Sequence, residues 1–182
     1  MSLNKEKTGL VTGVFSSRHD AEEAFNALLE RGYKADDITV LMSDETRDRH
    51  FKDEYHDKNK ETTKMGNKSM EGAGTGSAIG GTAGAIVGAL AAAGISVALP
   101  GLGLVLAGPL AGALAGAGAG GLTGGLIGAL VGAGMSKEKA VLYEKHLQKG
   151  DIILGVTPRS HDEATSIQEE WTNSHSGTEV HH

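Results

Sequence analysis

The residues that could most readily bind a metal lie in a stretch dense in charge of both signs, positions 44–70. His50 and His56 stand there among many carboxylates. Histidine and carboxylate side chains are common ligands of zinc, but they bind it from a regular spacing that these two histidines lack. A solvated linker or an exposed helix explains the charge pattern better. We therefore expect no metal site in this chain.

Glycine-rich sequence can also bind phosphate, and the chain contains 28 glycines. A phosphate loop needs a lysine followed by Ser or Thr directly after its last glycine, and that arrangement is absent from the sequence. Gly74, Gly76 and Gly80 approach the dinucleotide-binding pattern, but they are off by one position and follow a charged stretch instead of a strand. We expect no nucleotide and no other cofactor.

Candidate acids and nucleophiles near the amino terminus suit a structural role. Ser16 and Ser17 lack the strand–turn–helix context in which a serine becomes a nucleophile. Asp20, Glu22 and Glu23 fit the first turn of a helix, where acidic side chains interact favourably with the helix dipole. No set of acid, base and nucleophile can be assembled, so we expect a protein that is not an enzyme.

Composition narrows the remaining classes of function. At 182 residues the chain is long enough for one domain with an insertion. Its net charge of -6 and its isoelectric point near 5.7 argue against binding to nucleic acid. The sequence has no cysteine, which excludes disulfides and thiol catalysis. The first seven residues lack the apolar run of a signal peptide, which predicts a cytoplasmic location.

The stretch from 72 to 135 organises the rest of the chain, because it carries no charged residue and repeats glycine at every fourth position. On a helix this spacing gives a nearly continuous stripe without side chains, against which another backbone can pack closely. Such a pattern is typical of a glycine zipper. The predicted packing residues are Gly76, Gly80, Gly84, Gly88, Gly108, Gly112, Gly116, Gly120, Gly124, Gly128 and Gly132.

Larger apolar residues stand two positions from these glycines and should point the opposite way. This predicted outer face comprises Ile86, Leu90, Leu110, Leu114, Leu122, Leu126 and Leu130. Residues 99–109 contain two prolines and predict a tight turn, so we expect a hairpin of two helices. The outer face needs a partner, either lipid or other copies of the chain. Each arm is long enough for a bilayer, and lysines flank the hairpin on both sides, which fits two cytoplasmic termini.

The flanks alternate apolar runs with helical periodicity, which predicts strand–helix–strand before the hairpin and helix–strand–helix after it. Each flank is too small to bury a core alone, so the two must fold together. The prediction is an α+β fold, a small ferredoxin-like sandwich interrupted by the Gly/Ala-rich hairpin. Its parts are residues 8–43 (first half), 44–71 (charged linker or helix), 72–135 (hairpin), 136–172 (second half) and 173–182 (loose tail).

Two segments of the flanks carry small and apolar residues in a recognisable pattern. The residues of the first segment are Gly13-Val14-Phe15, Asp20-Ala21-Glu22, Ala24, Gly32-Tyr33, Asp37-Ile38 and Val40-Leu41. Those of the second segment are Met135-Ser136, Ala140, Tyr143-Glu144, Leu147, Gly150, Ile152 and Leu154. Together they resemble the bacterial general stress proteins that carry the heat-induced stress protein domain, and the second segment is the more specific match. The resemblance implies a small bacterial α+β domain linked to general stress, with no established catalytic residues.

Two functional hypotheses follow from these features. In the first, the hairpin drives association with the cytoplasmic membrane, or self-assembly into a homo-oligomer, and displays the α+β domain in the cytoplasm. In the second, the α+β domain senses a small ligand or a protein partner, and the hairpin only tethers it.

Overall fold

The fold is a mixed α+β arrangement, seen in a computed structural model that describes residues 9–51, 86, 103–109, 111, 125–132, 135–173 and 177–181. Five strands and five helices lie in these ranges. The strands are β1 (Val11–Phe15), β2 (Ile38–Ser43), β3 (Leu104–Ala107), β4 (Ile152–Val156) and β5 (Thr178–His181). The helices are α1 (Arg18–Glu30), α2 (Asp44–His50), α3 (Gly125–Gly132), α4 (Lys137–Lys149) and α5 (His161–Asn173).

The five strands form one sheet in the order β3-β2-β4-β1-β5, and every neighbouring pair is antiparallel. Strand β4 occupies the centre and pairs with β1 on one side and with β2 on the other. Its residues Ile152 to Val156 are all buried, as expected for a strand covered on both faces. The chain segments before and after the glycine-rich region therefore fold as one unit.

Each face of the sheet carries its own apolar core. On the first face, α1 and α5 bring Phe25, Leu28 and Trp171 onto the sheet, and all three side chains are fully buried. On the second face, α4 brings Tyr143 and Leu147 against the other sides of the same strands. The domain thus has three layers, with helices on both sides of the sheet.

Serine side chains begin the main helices. Ser17, Ser136 and Ser160 each accept a hydrogen bond from the backbone N–H three residues later, at 3.1, 3.3 and 3.1 Å. At the other end of α4, Gly150 adopts a left-handed conformation with φ of 95° and ends the helix. These capping residues set the starts of α1, α4 and α5 and the end of α4.

Strand β3 corrects the predicted hairpin. Residues 99–109 were expected to be a turn between two helices, but Leu104 to Ala107 pair with β2 at the edge of the sheet. Glycines with positive φ stand on both sides of this strand: Gly103 at 60° and Gly108 at 85°. The glycines that suggested one tight turn instead bend the chain into a strand and out of it again.

Strand β5 corrects the predicted loose tail. Thr178 to His181 pair with β1, with Thr12 opposite His181 and Val14 opposite Thr178. Gly177 leads into this strand and donates a backbone hydrogen bond of 2.7 Å to the carbonyl of Trp171. The polar composition of the tail concealed the strand, because an edge strand exposes much of its surface to water.

The charged stretch begins as a helix, one of the two forms predicted for it. In α2, Ser43 accepts a hydrogen bond from the N–H of Thr46, and the Thr46 hydroxyl donates one to the carbonyl of Gly150. The helix therefore holds the end of β2 against the end of α4. Residues 52–71 of the predicted linker, including His56, lie outside the described residues.

Buried hydroxyl groups interrupt the apolar packing between the sheet and α4. The Tyr143 hydroxyl donates a hydrogen bond to the Thr12 hydroxyl, and both residues are buried. Thr39 is 2% exposed, and its hydroxyl oxygen has no hydrogen-bond partner among the residues that the structure describes. A cavity of about 10 Å³ lies between these three residues and Met135, and such a volume accommodates nothing larger than a water molecule.

An arginine joins the end of α1 to the start of α5. The Arg159 guanidinium lies 4.3 Å from the centre of the Tyr33 ring and donates hydrogen bonds to the carbonyls of Arg31 and Gly32. Burial of the phenol, together with the nearby Glu163 carboxylate, raises the pKa of Tyr33 to about 12.

The raised pKa of Tyr33 predicts a loss of stability in alkaline solution. An unfolded tyrosine loses its proton near pH 10, whereas the folded one keeps it until about pH 12. The unfolded state thus binds fewer protons between these values, so the free energy of unfolding should fall by roughly 2 kcal/mol as the pH rises from 10 to 12. Comparing urea unfolding of the wild type and Tyr33→Phe across this range tests the prediction. Equal pH dependence in the two proteins would contradict it.

Candidate assembly surface

Helix α3 lies at the end of the second glycine run. Its eight residues, Gly125–Gly132, contain no polar side chain. A short helix of this composition has little intrinsic stability, because three of its residues are glycine. Its stability must come from packing, and one side of it is packed.

The packed side of α3 lies against α4 and the second core. Leu130 is fully buried there, and Ile127 is partly buried against the same cluster. The carbonyl of Leu130 accepts a hydrogen bond of 3.1 Å from the N–H of Met135, which fixes the turn into α4. Burying a leucine contributes on the order of 2 kcal/mol, so Leu130 is the principal anchor of the helix.

The opposite side of α3, which we call the α3 outer face, consists of Gly128, Val131 and Gly132. These residues are spaced i, i+3 and i+4 and therefore lie on one side of a helix. A Cβ atom added at Gly128 would meet no atom within 4 Å. Val131 is 42% exposed and is the exposed large apolar side chain of the described ranges. The face is smooth, apolar and uncovered within the described part of the molecule.

Three predicted site residues have positions different from those expected. Gly108 follows β3 instead of lying on a helical stripe, and its Cα packs against the backbone of β2 at Ile38. Ile86 and Leu130 were assigned to an outer face, but both are fully buried in the domain of their own chain. The rest of the domain, and not lipid or a second copy, covers these two apolar side chains.

The remaining predicted packing and outer-face residues are not tested. The packing residues Gly76, Gly80, Gly84, Gly88, Gly112, Gly116, Gly120 and Gly124, and the outer-face residues Leu90, Leu110, Leu114 and Leu122, lie outside the described residues. The backbone of Leu126 belongs to α3, but its side chain is outside the described part.

None of the described helices has the length and hydrophobicity that a membrane span requires.

Ile86 is held by a buried carboxylate that the sequence patterns do not single out. Glu22 on α1 is 3% exposed, and its Oε2 accepts a hydrogen bond of 3.1 Å from the backbone N–H of Ile86. Arg18, one turn earlier, places its Nε 3.7 Å from Oε1 of Glu22. The Arg18 guanidinium also donates to the carbonyl of His50 and lies 4.7 Å from the centre of the Phe51 ring.

The spacing of apolar residues on α1 indicates that Glu22 is partly buried. We expected Glu22 only to interact with the helix dipole in the first turn. The buried face of this helix carries Ala21, Ala24, Phe25 and Leu28. Glu22 stands three residues before Phe25 and so lies on the edge of that face. A carboxylate on the border of an apolar face must find a donor there, because an unpaired buried charge is costly.

No metal-binding group of three His, Cys, Asp or Glu side chains occurs in the part of the chain that the structure describes. His50 uses its carbonyl to accept from Arg18, and its ring packs beside Phe51. Ser17 caps α1, which is the structural role expected of it. Comparison of the chain with protein-family models, with curated proteins and with solved structures finds no match.

Proposed function

We propose that this chain is a non-enzymatic protein that assembles with copies of itself through its glycine-rich segments and displays its α+β domain in the cytoplasm. The α3 outer face carries the proposal. It is an entirely apolar helix surface, smooth at Gly128 and exposed at Val131, on a helix whose other side is firmly packed. Glycines at this spacing on an apolar helix surface allow a second helix to pack closely against it.

We further infer that the domain is a ferredoxin-like sandwich with an inserted strand. When β3 is set aside, the remaining order β5-β1-β4-β2 supports this arrangement, with α1 and α5 together on one face. Helices α3 and α4 would then be additions that cover the second face. The proposed link to the general stress response rests on the sequence resemblance of the two flanks alone.

A second copy is a better partner for the α3 outer face than a bilayer. Gly128 and Gly132 leave room for a backbone to approach closely, and close approach between helices gives van der Waals contact that fluid lipid does not provide. Association with lipid at the inner membrane surface remains one outcome of the test.

Substitutions on the α3 outer face should weaken association without unfolding the monomer. A Cβ added at Gly128 would lie in open space among the described residues, so we expect Gly128→Leu to fold, and a loss of assembly would reflect a blocked approach between copies. Val131→Lys places a charge on the same face. We expect either change to raise the dissociation constant at least tenfold, equivalent to about 1.4 kcal/mol, in sedimentation equilibrium.

The matched control is Gln148→Lys, which adds the same charge at an exposed position of α4. It should leave the dissociation constant unchanged. A wild type that remains monomeric at all accessible concentrations would refute self-assembly. Sedimentation with anionic lipid vesicles, lost in Val131→Lys, would instead assign the α3 outer face to a membrane.

A further inference from the structure

We propose that the α3 outer face of one copy docks on the outward side of α5 in a second copy, so that the copies associate head to tail. The inference rests on the proposed self-assembly and names the surface that the α3 outer face contacts. Its basis is the complementary charge and shape of two helix surfaces that lie on opposite faces of the sheet.

Two lysines at the start of α4 border the α3 outer face. The hydrogen bond from the Met135 N–H to the Leu130 carbonyl brings the start of α4 close to the last turn of α3. Lys137 is exposed there and Lys139 is half-exposed, with Glu138 between them in sequence. Neither ammonium group forms an ion pair within the described residues, whereas each of the five arginines forms one. The apolar face therefore has a basic border whose charges are available to a partner.

The outward side of α5 carries the opposite charge. This helix has four carboxylates and neither lysine nor arginine. Asp162 and Glu169 are exposed, and neither forms an ion pair in the part of the chain that the structure describes. They stand about 10 Å apart along the helix axis. One of them can therefore reach Lys137 and Lys139 whichever way α5 crosses α3.

The shapes of the two surfaces also fit. Asp162, Thr165 and Glu169 are spaced i, i+3 and i+7 on one side of α5, so the short Thr165 forms a depression between two longer side chains. The Thr165 hydroxyl already donates a hydrogen bond of 3.2 Å to the carbonyl of His161. On α3, Val131 projects from a surface whose two glycines let a second helix approach closely. Val131 would occupy the depression at Thr165, where a charged side chain would lose its water.

The two surfaces can meet only between copies. Helices α3 and α4 pack on one face of the sheet and α5 packs on the other, so the whole sheet separates them within a chain. A contact between different surfaces of two identical chains is heterologous, and it leaves a free surface at each end for a further copy. An anionic membrane is a poorer partner, because the net charge of -6 opposes its approach.

Reversing the charges on the two sides of the contact tests the proposal. Lys137→Glu/Lys139→Glu, the border variant, makes the edge of the α3 outer face acidic, and Asp162→Lys/Glu169→Lys, the α5 variant, makes the exposed side of α5 basic. In sedimentation equilibrium at about 50 mM salt, each variant alone should associate about tenfold more weakly than the wild type, because like charges then meet. An equimolar mixture should associate nearly as tightly as the wild type, because each surface again finds one of opposite charge.

The chain that carries all four substitutions is the matched control. Its net charge equals that of the wild type, while both surfaces have changed sign, so it should associate like the wild type. The α5 variant separates a specific contact from general repulsion between acidic chains. It lowers the net negative charge, so general repulsion predicts tighter association, whereas docking on α5 predicts weaker association.

Fluorescence of Trp171, which lies in α5, verifies that each variant folds. If one unfolds, neutral substitutions with an expected loss of about threefold replace it, Asp162→Asn/Glu169→Gln or Lys137→Gln/Lys139→Gln. Gln148 lies about 16 Å further along α4 than Lys137, so the control Gln148→Lys adds its charge outside the contact.

The outcomes separate the two proposals. If the wild type associates and Gly128→Leu weakens this association but the α5 variant does not, docking on α5 is refuted while self-assembly through the α3 outer face stands. If the wild type never associates, both proposals fail. Sedimentation with anionic lipid vesicles that the border variant loses and the α5 variant keeps would assign the lysines to a membrane and refute docking on α5. Association restored in the mixture and kept in the chain with all four substitutions would establish the head-to-tail contact.

Discussion

Replacing Gly108 by alanine is expected to destabilise the domain by at least about 3 kcal/mol. Gly108 has a φ of 85°, a left-handed conformation that costs a residue with a Cβ about 1–2 kcal/mol. The added Cβ would also stand 2.2 Å from the carbonyl oxygen of Ile38 and 2.8 Å from the Cα of Thr39. Both neighbours belong to backbone, so β3 must shift away from β2 to relieve the clash.

Gly103→Ala separates the cost of the left-handed conformation from the cost of the clash with the backbone of β2. Gly103 stands at the other end of β3 with a φ of 60°, but a Cβ there would meet no atom of the described residues within 4 Å. It should therefore cost only the conformational term, about 1 kcal/mol. Urea unfolding of both variants gives the comparison. Equal losses of stability at the two sites would mean that close packing of β3 on β2 does not require Gly108.

The second large effect is expected at Gly13, on the face of β1 that touches the only tryptophan. An added Cβ would lie 2.7 Å from Cε3 of Trp171 and 3.3 Å from Cε2 of Phe15. These two rings pack edge to face with centroids 5.5 Å apart, and neither has room to retreat in a fully buried core. Gly13→Ala should cost about 2–3 kcal/mol and change the emission of Trp171.

Gly155→Ala, on the neighbouring strand β4, should cause no loss of stability. Its added Cβ would contact Thr12 and Thr39 at 3.4 and 3.5 Å, which are ordinary packing distances. Alanine restricts the unfolded chain more than glycine does, so this variant should equal the wild type or gain up to about 1 kcal/mol. Thermal unfolding followed by Trp171 fluorescence measures the stability of both the Gly13→Ala and the Gly155→Ala variants. A stable Gly13→Ala protein with unchanged emission would overturn the packing argument.

The flanking elements could be read from the sequence because their signals are local. Capping serines 17, 136 and 160 mark the starts of three helices, and Gly150 marks the end of one. Apolar runs gave β1, β2 and β4. Each of these features depends on residues within a few positions of one another, which is the range over which a periodic pattern carries information.

The edge strands escaped prediction because their structure comes from distant partners. Leu104 to Ala107 form a strand because β2 offers an open edge, and the glycines beside them are equally typical of a turn. Thr178 to His181 contain too few apolar residues to suggest a strand, and they gain their conformation by pairing with β1. In both β3 and β5, pairing with a distant strand determined the local conformation.

In the candidate sites too, local features could be predicted from the sequence, whereas contacts between distant residues could not. The glycine repeat predicted a smooth helical surface, and α3 carries one at Gly128, but which apolar residues face outward could not be read from spacing. Leu130 and Val131 are adjacent in sequence, yet one is buried and the other 42% exposed. The spacing on α1 indicates that Glu22 needs a donor, but the donor lies 64 positions away, and no local pattern identifies it.

Because β4 lies at the centre of the sheet, the sheet can form only late in the synthesis of this protein. Strands β1 and β2 emerge first, but they cannot pair with each other, since β4 lies between them. More than a hundred residues, including both glycine runs, leave the ribosome before Ile152 to Val156 arrive. Contacts of such long range form slowly, so the nascent chain presents its most apolar stretches before its sheet can close, a period when a chaperone would be of most use.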